Sequence, residues 1–176
     1  MNVKLMMVQS LDGCITAGKN SNIYDWTSQE DAEQFFAEIA TAKVIVMGRQ
    51  TYEANRTKIK LRPGTLRVVL TSQPDQFISE KVPEQLEFSA ESPTQLVKRL
   101  AAAGCPEILL VGGSICNTAF LAVGLVTEIW LTIEPVIFGS GLTLCQTLPS
   151  PMALELQSCD QLNSRGTLLL KYRVTE

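Results

Sequence analysis

Two junctions in this 176-residue chain place glycine where an apolar run gives way to a helical pattern. One is Met47-Gly48-Arg49 in VIVMGRQTYE, and the other is Val111-Gly112-Gly113-Ser114 in EILLVGGSICNTAFL. Glycine leaves the backbone bare, so a flat ring or a phosphate can approach N–H groups that a side chain would cover. A helix N-terminus adds a positive dipole end, and two such junctions could hold two anionic groups of one ligand. The groups around them suit phosphate. Arg49 offers a guanidinium fork that matches a phosphate monoester, and Thr51 offers a hydroxyl. Thr71 and Ser72 close the run VVLTS with two more hydroxyl donors at a third strand end. An arginine with two hydroxyls suits the extra 2′-phosphate that separates NADP from NAD. A tight turn also accounts for each glycine taken alone, and neither junction matches G-x-G-x-x-G or the P-loop.

The chain contains no histidine. Ser-His-Asp and Cys-His nucleophile systems are therefore excluded, as is a histidine-ligated metal, and no metal site is expected. Acid–base chemistry falls to carboxylates, tyrosine, lysine, cysteine, water or the substrate itself. The five cysteines (14, 105, 116, 145 and 159) include no close pair and read as small apolar residues rather than a disulfide or zinc framework.

The elements that must position these groups follow from periodicity. VKLMMV (3–8), KVIVM (43–47), LRVVLTS (66–72) and EILLV (107–111) read as strands, the last three buried on both faces. TSQEDAEQFFAEIA opens with a Thr27–Glu30 capping box and carries Ala32, Phe35, Phe36, Ile39 and Ala40 at helical spacing, which predicts a buried face. Ser92 as cap, Pro93 at the first position and Gly104 as stop frame a further helix, and another runs from Ser114 to about Val123. From TEIWLTI (127–133) onward the rhythm turns to strands, with ALELQSCDQL and GTLLLKYRV flanking a turn at Asn163–Gly166. The pattern predicts one α/β domain over residues 1–176, with a mixed sheet closed by an antiparallel hairpin.

Composition narrows the partners. The chain is 45% hydrophobic and 19% charged with net charge −3, values of an ordinary globular protein. It lacks a basic cluster, so nucleic acid and anionic membrane are not expected partners. No apolar run approaches the roughly 20 residues of a membrane helix, and MNVKLMMVQSLDG is too short in its apolar part for a secretory signal. The expected location is cytoplasmic.

Taken together, SLDGCIT (10–16), Trp26 followed by SQED, VIVMGRQTYE, LTS (70–72), LLVGGS (109–114) and TEIWLTIEPVIFGSG (127–141) resemble the dihydrofolate-reductase-like superfamily. The closest likeness is to the C-terminal reductase domain of the RibD-type riboflavin-biosynthesis proteins, in stand-alone form. The resemblance implies a three-layer α/β fold, with a mixed, mostly parallel sheet of about eight strands and flanking helices. It implies NADPH as cofactor, a small-molecule substrate and a homodimer. Carried over by position, Gly48, Arg49 and Thr51 contact the phosphate side of the cofactor. Thr71 and Ser72 lie near the 2′-phosphate, and Val111, Gly112, Gly113, Ser114 and Ile115 hold the pyrophosphate and nicotinamide region. Ser10, Asp12 and Gly13 border nicotinamide and substrate, with Trp26 and Phe35 as substrate-side wall.

The implied activity is hydride transfer to a C=O or C=N of a small heterocyclic or sugar-like substrate. Asp31, where dihydrofolate reductases keep their substrate carboxylate, is the first candidate proton donor, with Asp12 and Glu134 as the others. By default Asp31 is a carboxylate complementing the dipole at a helix start. Alternative readings are the phosphoribosylaminouracil reductase of riboflavin biosynthesis, a dihydrofolate reductase, or a non-catalytic NADPH-binding protein. The chain lacks the zinc deaminase signature of the riboflavin enzymes and carries EANRTKIKLRPG where their reductase half has DDP-x-L. For the riboflavin reading, Lys58, Lys60 and Arg62 are the candidate phosphate contacts. The apolar surplus of LLLKYRV points to sheet or hairpin contacts in the dimer.

Overall fold

The structure is a computed structural model and describes residues 1–18, 20 and 22–175. Eight strands form one sheet: β1 (Asn2–Ser10), β2 (Val44–Gly48), β3 (Leu66–Leu70), β4 (Leu86–Ser89), β5 (Glu107–Leu110), β6 (Glu128–Glu134), β7 (Ala153–Gln161) and β8 (Leu168–Thr175). Their order across the sheet is β4-β3-β2-β5-β1-β6-β8-β7. Strands β1 to β6 run parallel, and β8 turns antiparallel between β6 and β7. The helices are α1 (Gln29–Thr41), α2 (Arg49–Asn55), α3 (Pro93–Ala102) and α4 (Ser114–Leu121).

Parallel pairing demands crossovers, and the helices cover both faces. One core packs β1, β2, β3 and β5 against α3 and α4 through Leu5, Val46, Val68, Leu96, Leu100 and Phe120. The other lies on the opposite face, where Met6, Ile45, Met47, Val69 and Phe88 meet Tyr52 of α2 and, less completely, Phe35 and Ile39 of α1. Val44, Ile45 and Val46 are sealed on both sides, which is why β2 reads as an unbroken apolar run. Helix α3 is framed as its sequence predicts: Ser92 accepts from the Gln95 N–H and the Gln95 side chain accepts from the Ser92 N–H.

Two local expectations change, and one strand was not foreseen. The cap of α1 is Ser28, not Thr27; its hydroxyl accepts from the Asp31 N–H at 3.2 Å. Glu30 is drawn away to the hairpin turn, accepting from Asn163 Nδ2 at 3.0 Å, so the Thr27–Glu30 box does not form. Strand β4 is too short for its alternation of Leu86 and Phe88 to stand out in sequence. The apolar stripe of α1 is not buried either: the one buried residue of that helix is Asp31.

The C-terminal hairpin absorbs most of its own apolar surplus. Because β8 is internal, Leu169 is buried and Tyr172 and Val174 pack against the core. The large apolar side chains left exposed there are Leu154 and Leu156 on the edge strand β7. Among the described residues, no helix is long and apolar enough to cross a membrane.

Candidate functional site

A groove of about 1410 Å³ opens at the carboxyl ends of β2, β3 and β5, the end of a parallel sheet where ligands bind. Its floor is built by the two glycine junctions, which join directly: the Gly48 N–H donates to the Gly112 carbonyl at 2.7 Å. The Gly112–Gly113 peptide is cis. Gly112 has φ +90°, and a side chain there would meet Met7 Sδ at 2.7 Å. At Gly48 a Cβ would lie 3.3 Å from Cys116 Cβ, and at Gly113 one would lie 3.1 Å from Thr51 Oγ1. Gly112 is thus required by its backbone and by Met7, while at Gly48 and Gly113 a side chain would crowd Cys116 and Thr51. Gly113 caps α4 without a side chain, leaving the first N–H groups of that helix open.

Gly48, Arg49, Thr51, Thr71, Ser72, Val111, Gly113, Ser114 and Ile115 all line this groove, and Gly112 sits behind it in the same junction. Arg49 is half-exposed and its Nη1 donates to Glu53 at 2.7 Å, a surface pair one helical turn long. Such a pair is weak enough to yield to a phosphate.

The opposite wall is α1. Ala32, Phe35, Phe36, Ile39 and Ala40, the stripe expected to be buried, line the groove, with Phe35 and Ile39 also packing in part against the core beneath. Asp31 opens this wall. It is 6% exposed, and its pKa is pushed up to about 6, first by burial and further by the nearby Glu134 carboxylate, with the Thr132 hydroxyl opposing. Thr132 Oγ1 itself is buried and meets no partner at hydrogen-bond geometry.

The other two candidate carboxylates are spent on structure. Glu134 is buried but does not line the groove; it accepts from the Ser28 N–H and from Thr167 Oγ1, both at 2.7 Å. It therefore ties the start of α1, and with it Asp31, to the sheet. Asp12 accepts from Ser10 Oγ at 2.6 Å, Gly139 N–H at 2.7 Å and Phe138 N–H at 3.2 Å. These bonds, chiefly the one from Ser10, hold its pKa below the usual carboxylate value, the wrong direction for an acid at neutral pH. Ser10, Asp12 and Gly13 form a clasp with the 136–139 loop and lie outside the groove, as does Trp26, whose ring meets Phe138 edge-on at 5.1 Å. Of the four residues expected on the substrate side, Phe35 lines the groove.

Lys58, Lys60 and Arg62 of EANRTKIKLRPG also line it. Arg62 is committed, however, donating to the Ile39 carbonyl at 2.7 Å and to Thr65 Oγ1 at 2.8 Å. Lys58 lies over the Tyr24 ring at 3.6 Å. Sequence reasoning passed over Arg67, a groove-lining arginine that is 5% exposed. Its signal was a lone charge inside the apolar run LRVVL.

Comparison with known proteins agrees with this geometry. The profile of the RibD C-terminal domain matches residues 2–168. The chain belongs to the RibD C-terminal domain family. This RibD C-terminal domain protein is 27% identical over 165 residues to YwjB of Bacillus subtilis, covering 89% of this chain and 90% of that one. It is 30% identical over 136 residues to a dihydrofolate reductase of Mycobacterium tuberculosis, covering 77% and 81% of the two chains. A crystal structure from Shewanella sp. PV-4, assigned to riboflavin biosynthesis, superposes over 100% of both chains with TM-score 0.81 at 19% identity. The Thermotoga maritima deaminase/5-amino-6-(5-phosphoribosylamino)uracil reductase gives TM-score 0.76 at 17% identity, over 99% of this chain and 56% of that larger one. These structures share the fold: a mixed eight-stranded sheet, mostly parallel, closed by an antiparallel hairpin.

Proposed function

We propose that this protein is an NADPH-dependent reductase that delivers hydride to a polarised C=O or C=N of a small heterocyclic or sugar-like substrate. The observation that carries the reading is the open groove itself. One wall is bare backbone, hydroxyls and an arginine; the other is an apolar helix stripe headed by a buried carboxylic acid. Its volume exceeds the roughly 300–1,000 Å³ of sites for one drug-sized ligand, leaving room for a dinucleotide and a substrate side by side. The donor set fits the cofactor: Ser114 and the open N–H groups of α4 suit pyrophosphate, while Arg49, Thr71 and Ser72 suit a 2′-phosphate.

A bound reduced nicotinamide supplies the hydride. The chain does the rest. The α1 stripe of Phe35, Phe36 and Ile39 packs against a flat ring and excludes water from it. Asp31, protonated below a pH of about 6, gives its proton to the heteroatom that gains charge as the double bond is reduced. Glu134 keeps Asp31 in place through the Ser28 N–H, and its charge adds a smaller part to a pKa raised chiefly by burial.

Membership of the family makes phosphoribosylated aminouracil and dihydrofolate the first substrates to try. Loss of NADPH absorbance is the assay, with turnover on one of them the expected result. Saturable NADPH binding without turnover on either, or on a broad carbonyl panel, would mark a protein that binds cofactor without catalysis. Absence of NADPH binding would overturn the reading altogether. We further propose a homodimer through the β7 edge, where Leu154 and Leu156 stand exposed. A monomer by light scattering at micromolar concentration would refute it.

A further inference from the structure

Among the described residues, four polar side-chain atoms are fully buried without a hydrogen-bond partner: Trp26 Nε1, Arg67 Nη1, Asn117 Oδ1 and Thr132 Oγ1. Asn117 stands apart because it belongs to α4, the helix whose open N-terminus meets the groove. It is 0% exposed and does not line the groove itself. Its neighbours Cys116, Phe120 and Leu121 are core residues. Burying an amide with its oxygen unpaired costs stability, so packing alone gives no reason to keep an asparagine there. The bond it does make is long in sequence: Nδ2 donates to the Leu144 carbonyl at 2.8 Å.

Leu144 lies on a strap, residues 139–146, that follows β6 and is tied down at both ends. At one end the Gln146 N–H donates to Thr118 Oγ1 at 2.8 Å, and that hydroxyl donates to the Ser114 carbonyl at 2.7 Å, one turn back along α4. At the other, the Ile15 N–H donates to the Leu142 carbonyl at 2.7 Å and the Leu142 N–H to Thr16 Oγ1 at 2.9 Å. Gly141 runs so close to this loop that a Cβ on it would lie 2.0 Å from the Thr16 carbonyl oxygen. Two strap residues, Leu142 and Gln146, line the groove beside Ser114, Ile115 and Ala119. The Gln146 backbone is therefore pinned to α4 twice, directly by Thr118 and through Leu144 by Asn117. Its side chain is exposed and, among the described residues, its amide makes no hydrogen bond.

We infer that Gln146 is a further binding residue of the groove, and that Asn117 is the residue that positions it. The Gln146 amide donates to the pyrophosphate–ribose segment, on the nicotinamide side, of a dinucleotide held at the N-terminus of α4. The inference rests on the reductase reading proposed above. A carboxamide suits this segment because it donates to a phosphate oxygen and accepts from a ribose hydroxyl without a charge of its own to desolvate. Its place follows from the tethers. Thr118 sets Gln146 one helical turn from Ser114, at the helix that β5 leads into. Thr71 and Ser72 follow β3, and β2 separates β3 from β5 in the sheet. Gln146 thus serves the near half of the ligand and not the adenosine end.

The test is titration of the intact protein with two probes: NADPH, and 2′,5′-ADP, which carries the adenosine end alone. Gln146 is exposed, so its variants keep the fold. Gln146→Ala should weaken NADPH by about fivefold, the loss of one hydrogen bond. Gln146→Glu, which turns a negative charge toward the pyrophosphate, should weaken it by about thirtyfold. Both should leave 2′,5′-ADP within about twofold. Asn117→Leu should match Gln146→Ala on both probes, and the double variant should bind NADPH like Gln146→Ala alone, because the asparagine acts through the glutamine. A residue that only holds the fold would instead weaken both probes, or add its effect to that of Gln146→Ala. Should Asn117→Leu not fold, Thr118→Val cuts the other tether and takes its place in the cycle. NADPH affinity unchanged in both Gln146 variants, or equal losses of NADPH and 2′,5′-ADP in Gln146→Glu, overturns the inference and leaves the reductase reading standing. Additive effects in the double variant remove Asn117 as the positioning residue. A wild type that binds no NADPH takes down the inference and the reductase reading together.

Discussion

The two walls of the groove recognise by different physics. Along the strand ends, Gly48, Gly113, Ser114, Thr71 and Ser72 present backbone and hydroxyls, and the one cation, Arg49, stands half-exposed with Glu53 as a loose partner. Along α1 and the face of β3, the polar groups are ionisable and buried: Asp31 is 6% exposed and Arg67 5%. The first wall can take up and release a polyanion at small cost, because nothing in it is strongly desolvated. The second keeps two groups in an unfavourable state that a ligand could relieve. On the reading proposed above, the first wall would hold the cofactor and the second would choose the substrate.

The largest effect that would sharpen this contrast is expected at Asp31. Asp31→Asn should lower turnover by roughly 10²–10⁴-fold while leaving NADPH affinity within about twofold. Equal loss of both would break the division between the walls. The same residue gives a pH signature. Its folded pKa of about 6 lies above the ordinary 3.8, so the fold favours the protonated form. That contribution is fully present below 3.8 and is lost as pH rises through 6. The asparagine side chain does not titrate and escapes the loss. The variant should therefore gain on wild type by about 2–3 kcal/mol at pH 7.5 and show little difference near pH 4 in denaturant titrations. Turnover of the wild type should decline above a pH of about 6.

Next in size is Glu134, which resembles Asp31 in sequence but is fully bonded. Glu134→Ala leaves the Ser28 N–H and the Thr167 hydroxyl without their acceptor, at about 1–3 kcal/mol of stability. Glu134→Gln should restore most of that stability and leave Asp31 with a slightly lower pKa, because burial, the main cause of its rise, remains while the smaller contribution of the Glu134 charge is gone. A kcat–pH profile that does not move in the glutamine variant would detach Glu134 from Asp31. On the first wall, Gly112→Ala must hold φ near +90° and push against Met7 Sδ, for a loss of about 2 kcal/mol. Urea unfolding reads it out.

The walls also differed in how far they could be read from the chain. Gly48, Gly113 and the strand-end hydroxyls were visible because their meaning is local: a glycine or hydroxyl where an apolar run meets a helix. The succession of elements along the chain was visible, β4 excepted, because the β-runs carried their own period and α3 its own caps; their order across the sheet was not. The α1 wall was not, because its stripe has the same spacing whether it faces a core or an open groove. Asp12, Asp31 and Glu134 are alike in sequence. What separates them are bonds across the fold, Gly139 to Asp12 and Ser28 to Glu134, that span more than a hundred residues. Arg67 was hidden for the same reason: in LRVVL nothing local says whether an arginine points at water or at an apolar face without a counter-ion. Local chemistry is legible; burial without a partner is not.

On the proposed reading, NADPH lies along the glycine wall of the groove. Fluorescence titration of the wild type and Arg49→Ala with NADPH and NADH tests it most directly. Saturable NADPH binding and a preference for NADPH over NADH are expected in the wild type. NADPH should weaken approximately tenfold in the variant, with NADH nearly unchanged, as expected when one guanidinium–phosphate pair is lost. Failure of the wild type to bind NADPH, or an alanine variant that binds it as tightly as the wild type, would contradict the claim.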